Sequence, residues 1–157
     1  YVLTSNAPET KDNDFTWDEF QSRNNNELVA IYGNFINRVV VLTNKYYDGI
    51  IPKIESRLPE DEKIIDQIGI IAKKIGSSIE KYKFREASQN LMLIARTGNK
   101  YLAEKEPWKL IDKDPKRVSE IIYTTLQISA CLAIVSEPLL PFTHEKLLSI
   151  LKINNII

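Results

Sequence analysis

Helical spacing of apolar side chains is the feature of this sequence that most restricts its fold. The clearest stripe recurs at intervals of three and four residues and consists of Leu28, Tyr32, Phe35, Val39, Leu42 and Tyr46. Such intervals place side chains on one face of a helix. No segment alternates convincingly between apolar and polar residues with the period of two that a half-buried strand requires. The sequence therefore predicts an all-α fold, a helical bundle of about five helices.

Proline, glycine and capping residues set the bounds of these predicted helices. Asn24, Asn25 and Asn26 offer N-caps for the first helix, and Tyr47-Asp48-Gly49 is a typical helix end. The Asp114-Pro115 pair should start the most apolar helix, which we expect at the centre of the bundle. The predicted helices cover about 24–46, from 59 to a break within 77–83, then 84–104, 115–136 and 142–152.

The first twenty residues differ from the rest because they are polar and rich in turn formers, with no periodic stripe. We expect residues 1–20 to form a lead-in and residues 21–157 to form the helical domain. Phe15, Trp17 and Phe20 are expected to pin the lead-in onto that domain. The apolar ends of the sequence, and a first residue other than Met, suggest a piece of a longer protein.

Composition excludes several classes of function. The 21 Lys and Arg residues balance 21 Asp and Glu residues, so no overall charge attracts nucleic acid or an anionic membrane, and any such binding must come from a local patch. One Cys and one His leave no disulfide framework and little for a zinc site or a His-led catalytic relay. No apolar run approaches the roughly 20 residues that span a bilayer. We expect a cytoplasmic domain with no membrane partner, no catalytic residue, no metal site and no cofactor of its own.

The residue types most often used in catalysis, which are acids, histidine and cysteine, have simple structural explanations in this sequence. Acid pairs such as Asp61-Glu62 lie near predicted helix ends, where acids are usually solvated or complement the helix dipole. His144 is expected at the surface, and Cys131 is expected to be a small core residue.

Asn34 and Arg38 form the first candidate site. They lie one turn apart in the predicted helix, about 100° from its apolar stripe, so an amide and a guanidinium can present a joint set of hydrogen-bonding groups. Gly33 beside them indicates a close approach by another helix or a ligand. From spacing alone, an ordinary solvated pair is the more common outcome.

Pro107 and Trp108 form the second candidate, directly after a predicted helix. A tryptophan in a loop either covers the core or offers a stacking platform for a flat ligand, and the first is the more common. Gly98 and Asn99 lead into this loop. If Gly33 and Gly98 let their helices approach, the two candidates could share one end of the bundle.

The order of these residues resembles a known family. The motifs Asn26-Glu27-Leu28, Gly33-Asn34-Phe35 with Arg38, Tyr46-Tyr47-Asp48-Gly49 with Pro52, Gly98-Asn99-Lys100-Tyr101 and Glu106-Pro107-Trp108 are similar to those of the C-terminal anticodon-binding domain of methionyl-tRNA synthetases. The resemblance covers nearly the whole sequence, and the lead-in resembles the stretch that leaves the stem-contact region. One departure is Ala103, where some relatives carry an acid.

The resemblance implies a specific role, which is recognition of the CAU anticodon of methionine tRNAs. It assigns stacking on an anticodon base to Trp108, hydrogen bonds to cytosine and its neighbour to Asn34 and Arg38, loop shape to Pro107 and a supporting role to Asn99. ATP, methionine and any zinc would belong to a catalytic domain absent from this sequence, so the fragment alone should be inactive.

Two alternatives remain at this point. The domain could belong to a sister class I synthetase for isoleucine, valine, leucine or cysteine. It could instead be a helical protein-interaction module that uses Trp108 and nearby apolar surface.

Overall fold

The computed structural model describes residues 1–9 and 12–153, and within these residues the regular structure is helical, without strands. The all-α prediction is confirmed. The α-helices are α1 Val2–Ser5, α2 Trp17–Arg23, α3 Asn34–Tyr47, α4 Pro59–Glu80, α5 Phe84–Lys105, α6 Pro107–Leu110, α7 Pro115–Val135 and α8 Pro141–Leu151, and a π-helical segment, Asn24–Gly33, joins α2 to α3.

The first long helix begins earlier than the sequence suggested. Thr16 is the N-cap of α2, and its hydroxyl accepts a hydrogen bond from the backbone N–H of Glu19 at 3.2 Å. Helical backbone then continues through Arg23 and Asn24 into the π segment. The predicted caps at Asn24, Asn25 and Asn26 are therefore wrong, because Thr16 already satisfies the first turn.

Helix α7 lies at the centre of the bundle, as predicted. It contacts α3, α4, α5, α6 and α8. Val118, Ile121, Ile122, Ile128 and Leu132 of this helix are fully buried. By length and composition alone α7 could cross a membrane, with a mean hydropathy of 1.6 over its most apolar window, but the buried core helix of a soluble protein passes the same test.

The other predicted boundaries agree closely with the structure. Helix α3 ends at Tyr47, and Asp48 and Gly49 follow with φ of 51° and 74°, in the left-handed region that ends many helices. Helix α4 ends at Glu80, inside the predicted break.

The expectation that His144 lies at the surface is wrong. His144 is half-buried, and its Nδ1 lies 2.6 Å from the carbonyl oxygen of Ala133, so it connects α8 to α7.

The lead-in is attached to the domain, but not by the predicted residues. Helix α1 packs on α5, where Val2 is buried and the Ser88 hydroxyl donates to Thr4 at 2.9 Å. Phe15, Trp17 and Phe20 are instead 53%, 74% and 42% exposed. Their pinning role is wrong within this chain because the three rings pack mainly on one another.

A cluster of charged side chains ties the start of α4 to α5 and α7. Asp61 is completely buried, and it accepts hydrogen bonds from the Tyr101 hydroxyl at 2.5 Å and from Arg117 Nη2 at 2.9 Å. Burial by itself raises the pKa of the Asp61 carboxyl, but hydrogen bonds from Arg117 and Tyr101 outweigh burial and hold this pKa below its usual value. The expectation that Asp61 is solvated is therefore wrong.

Candidate functional site

Helices α3 and α5 meet closely at one glycine. A Cβ atom built on Gly98 would lie 2.5 Å from atoms of the Phe35 ring, so any larger residue would have to displace that ring. Phe35 is fully buried in the core. At Gly33 the nearest atom is instead the Leu28 carbonyl oxygen of its own helical segment. Of the two glycines, only Gly98 lets another helix approach as predicted.

The close approach brings Asn34 of α3 against Asn99 of α5. Asn34 is the first residue of α3, next to the π segment, and its side chain is exposed. The Asn34 Nδ2 atom donates to Asn99 Oδ1 at 3.1 Å. Two residues that are 65 positions apart in sequence therefore form one amide pair.

Backbone contacts fix which way the Asn99 amide points. Its Nδ2 donates to the carbonyl oxygens of Ile31 at 2.9 Å and Ala95 at 3.1 Å. Since an amide nitrogen has two hydrogens, both are used, and only Oδ1 faces Asn34. Asn34 must then offer its own N–H to Asn99. Among the described residues, the Asn34 Oδ1 acceptor and its second N–H have no partner, so both can serve a ligand.

Arg38 and Trp108 form the second contact of the site. The Arg38 guanidinium carbon lies 5.3 Å from the centre of the Trp108 ring, within the range of a cation–π interaction. Trp108 is 39% exposed, so it is not a lid closed over the core. In the described part of the chain, Arg38 is in no ion pair with a carboxylate. Its hydrogen-bonding capacity is not taken up by a neighbouring acid.

Local backbone geometry places Trp108 beside α3. Glu106 ends α5 in the left-handed conformation with φ of 42° and is also the N-cap of α6. Pro107 follows as the first residue of α6 and is buried, while Trp108 and Lys109 are exposed. The sharp reversal at Glu106 and the fixed φ of Pro107 turn the next side chain outward.

These contacts bring the five sequence-predicted site residues to one end of the bundle. Asn34 pairs with Asn99, Arg38 lies over Trp108, and Pro107 directly precedes Trp108 at the start of α6. The arrangement combines an exposed indole face, a guanidinium and an oriented amide. Such a combination can stack a planar ring and hydrogen-bond its edge, which is how proteins bind unpaired nucleobases.

Sequence reasoning did not find the pairing of Asp61 with Arg117, which links the starts of α4 and α7. Their pairing joins positions 56 residues apart, and each looks like an ordinary first-turn residue of its own helix. No short-range pattern identifies such a pair.

The described residues contain no group of His, Cys, Asp and Glu able to hold a metal ion.

The fold is shared with solved structures of methionyl-tRNA synthetases. The structure of the Mycobacterium tuberculosis enzyme in complex with methionyl-adenylate superposes with a TM-score of 0.88 and 21% sequence identity, covering 94% of this chain and 30% of that one. The free form of the same enzyme gives the same TM-score and covers 31% of that chain. At this identity the likeness establishes the fold alone.

Sequence comparisons identify the family. Residues 51–156 match the anticodon-binding domain of methionyl tRNA ligase, and residues 1–40 match class I tRNA synthetases of the methionine type. The methionine–tRNA ligase of Christiangramia forsetii is 64% identical over 94% of this chain and 21% of its own length. That of Porphyromonas gingivalis is 53% identical over 96% of this chain and 22% of its own length. The chain thus spans about a fifth of the length of these curated relatives, and it belongs to the methionyl-tRNA synthetase family, within which it carries the anticodon-binding domain.

Proposed function

We propose that this domain reads the CAU anticodon of methionine tRNAs for a ligase that attaches methionine to tRNA at the expense of ATP. The observation that carries the proposal is the site itself, where Arg38 lies over an exposed Trp108 and Asn34 is held in one orientation by Asn99. Family membership supports the same reading. The domain works with an anticodon loop, in the cytoplasm and without a membrane.

Cytosine is the base whose edge best fits this site. Its Watson–Crick edge carries an exocyclic amine that donates, next to ring N3 and O2 atoms that accept. Asn34 Oδ1 can accept from the amine, while the N–H groups of Arg38 donate to the two acceptors. Uracil has a carbonyl oxygen in place of the amine and an N–H in place of the N3 acceptor, so in the same pose it would set an acceptor against Asn34 Oδ1 and a donor against Arg38. The two residues together therefore favour cytosine over uracil.

Stacking on Trp108 would supply affinity while the edge contacts supply discrimination. Stacking of one base on an aromatic side chain is worth about 1–3 kcal/mol and is tolerant of base identity. Pro107 shapes the turn that presents the ring, and Asn99 acts through Asn34. With 21 basic and 21 acidic residues, the chain supplies few phosphate contacts, so isolated binding should be weak.

The catalytic part of the ligase is the second partner of this domain. The exposed rings of Phe15, Trp17 and Phe20 lie within residues 1–40, which match the class I synthetases. Exposed aromatic clusters are typical of protein interfaces. We therefore assign residues 1–20 to the connection from the stem-contact region, and residues 21–157 to the helical domain. ATP, methionine and any zinc would be bound by the catalytic part, and this chain alone would not aminoacylate tRNA.

A fluorescence titration tests the proposal. The chain has two tryptophans, so Trp17→Phe leaves Trp108 as the sole reporter. This variant is titrated at low salt with an anticodon stem-loop carrying CAU and with the same loop carrying uracil at the first position. We expect the CAU loop to change Trp108 fluorescence at lower concentration than the UAU loop.

Two results would contradict the proposal. Equal responses to both loops would mean that the site does not read the first base. No response to either loop, in this chain and also in a longer form that includes the catalytic part, would favour a protein-interaction module.

A further inference from the structure

One acidic side chain at the start of α4 contacts both ends of the connection that carries Trp108. We call residues 106–114, between α5 and α7, the Trp108 connection. Lys105 precedes it, and its Nζ lies 2.6 Å from Glu60 Oε2. Arg117 follows it in the first turn of α7, and its Nη2 lies 2.7 Å from Glu60 Oε1. The carboxylate of Glu60 thus bridges two residues that flank the connection on either side.

Asp61, the next residue, repeats this link at a deeper level. Its carboxylate accepts from Tyr101, one turn before the end of α5, at 2.5 Å. Arg117 donates to both oxygens of the same carboxylate, and the contact from Nη2 measures 2.9 Å. Asp61 is completely buried, and the Arg117 side chain is only 12% exposed. Water therefore screens this pair much less than it screens the surface ion pairs of the chain.

The Trp108 connection has little regular structure of its own to hold it. Its helix α6 has four residues, and a single helical turn is unstable without external contacts. The backbone bonds inside the connection are local, such as Lys109 N–H to the Glu106 carbonyl at 2.8 Å and Asp114 N–H to the Leu110 carbonyl at 2.8 Å. The position of the indole ring therefore depends on contacts from outside α6, which are its packing on α7, the burial of Pro107 and the ties on either side of the connection.

We infer that Glu60 and Asp61 are positioning residues, which hold Trp108 in place for stacking on an anticodon base by fixing both ends of its connection to α4. The inference rests on the proposed function of Trp108. We call the contacts of Glu60 and Asp61 with Lys105, Tyr101 and Arg117 the brace. The inference predicts that loss of the brace moves or loosens the indole ring. It also predicts that the effect on RNA binding passes through Trp108 and not through Asn34 or Arg38.

The first test measures Trp108 in the free protein. In the Trp17→Phe background, acrylamide quenching of the remaining tryptophan is compared with and without Asp61→Asn, which removes the charge but keeps the shape. Quenching should increase. Glu60→Gln, at a side chain that is 50% exposed, gives a milder form of the same test if Asp61→Asn does not fold.

Two control variants separate positioning from general weakening of the fold. Glu55→Gln removes an exposed ion pair with Lys116, the neighbour of Arg117, and should leave quenching unchanged. Ile75→Val weakens the buried part of α4 without touching the brace, and should also leave quenching unchanged. Unchanged quenching in both brace variants, or an equal increase in Ile75→Val, would overturn the inference.

The second test is a double-mutant cycle with the CAU stem-loop. Asp61→Asn should weaken binding by about 3- to 10-fold when Trp108 is present and by less than about 2-fold in the Trp108→Ala background. Equal weakening in both backgrounds would show that Asp61 does not act through Trp108. If Trp108→Ala itself binds as well as wild type, the proposed role of Trp108 fails, while the quenching result still decides whether the brace positions the ring.

Discussion

The two tryptophans of this chain are both exposed, but their surroundings differ. Trp17 is 74% exposed and packs edge-on against Phe15, with ring centres 5.2 Å apart, in a cluster of apolar rings. Trp108 is 39% exposed, lies under a guanidinium, and belongs to a connection whose two ends are tied by ion pairs. Apolar neighbours suit a protein partner, whereas a cation and an oriented amide suit a nucleobase. The side chains around an exposed aromatic ring therefore indicate what the ring binds better than its exposed fraction does.

The largest expected effect is the loss of stability when Arg117, which pairs with the buried Asp61, is removed. Arg117→Ala leaves the carboxylates of Asp61 and Glu120 buried without their cation, and removing one partner of a buried pair costs about 3–5 kcal/mol. Urea denaturation should show this loss in the free energy of unfolding. Lys116→Ala, next to it, removes only an exposed pair and should cost less than about 1 kcal/mol. Similar losses for both variants would mean that the buried ion pairs of Arg117 stabilise the fold no more than the exposed pair of Lys116.

The second prediction contrasts the two tryptophans directly. Trp108→Ala should weaken binding of the CAU stem-loop by about 1–3 kcal/mol, the range for one stacked base, while the fold stays intact. Trp17→Ala should leave stem-loop binding unchanged. Isothermal titration calorimetry and thermal unfolding of both variants check this. A large drop in melting temperature for Trp108→Ala would show that the ring is mainly a core residue after all.

The third prediction concerns discrimination by the cation over Trp108. Arg38→Ala should reduce the preference for cytosine at the first anticodon position by about 1–3 kcal/mol, because a pair of directed hydrogen bonds to the base edge is lost. The measurement compares dissociation constants for loops that differ only in that base. Asn37→Ala, an exposed neighbour, is the control. Equal weakening for every loop would reassign Arg38 to a phosphate contact.

Most of the fold could be predicted because helix periodicity and end signals are local. The stripe from Leu28 to Tyr46, the left-handed end at Asp48-Gly49 and the Asp114-Pro115 start all agree with the structure. The start of the first long helix differs from the prediction because its cap, Thr16, lies in the polar lead-in. The Thr16-x-x-Glu19 spacing is a capping-box pattern and could have identified it.

The candidate site could be predicted only in part. Its five residues could be named from motif order, but the Asn34–Asn99 bond and the Arg38–Trp108 contact depend on how α3 and α5 cross at Gly98. The exposure of Trp17 and the burial of Asp61 were both predicted wrongly. Packing partners distant in sequence decide both, and local patterns carry no information about them.

The fourth prediction concerns the pH dependence of the stability that Asp61 contributes. The pKa of Asp61 is lowered in the folded protein, where hydrogen bonds from Arg117 and Tyr101 outweigh the effect of burial. The pKa of an unfolded aspartate is about 3.9. The stabilisation from this carboxylate is thus fully present above that pH and is lost as the pH falls through the lower, folded value. The free energy of unfolding should decline more steeply below about pH 4 in wild type than in Asp61→Asn. Identical slopes would contradict a lowered pKa at this site.

The smallest expected effect belongs to the aromatic cluster in this chain. Trp17→Ala should change the free energy of unfolding by less than about 0.5 kcal/mol, because the ring is mostly exposed and replaces little core packing. In a longer form that includes the catalytic part, the same substitution should lower the melting temperature, since the ring would then be buried between the two parts. Leu3→Ala, at a side chain 81% exposed and outside the cluster, is the control. If Trp17→Ala changes stability in neither form, the aromatic cluster is not the surface that meets the catalytic part. The two tryptophans would then differ only in that Trp108 binds RNA.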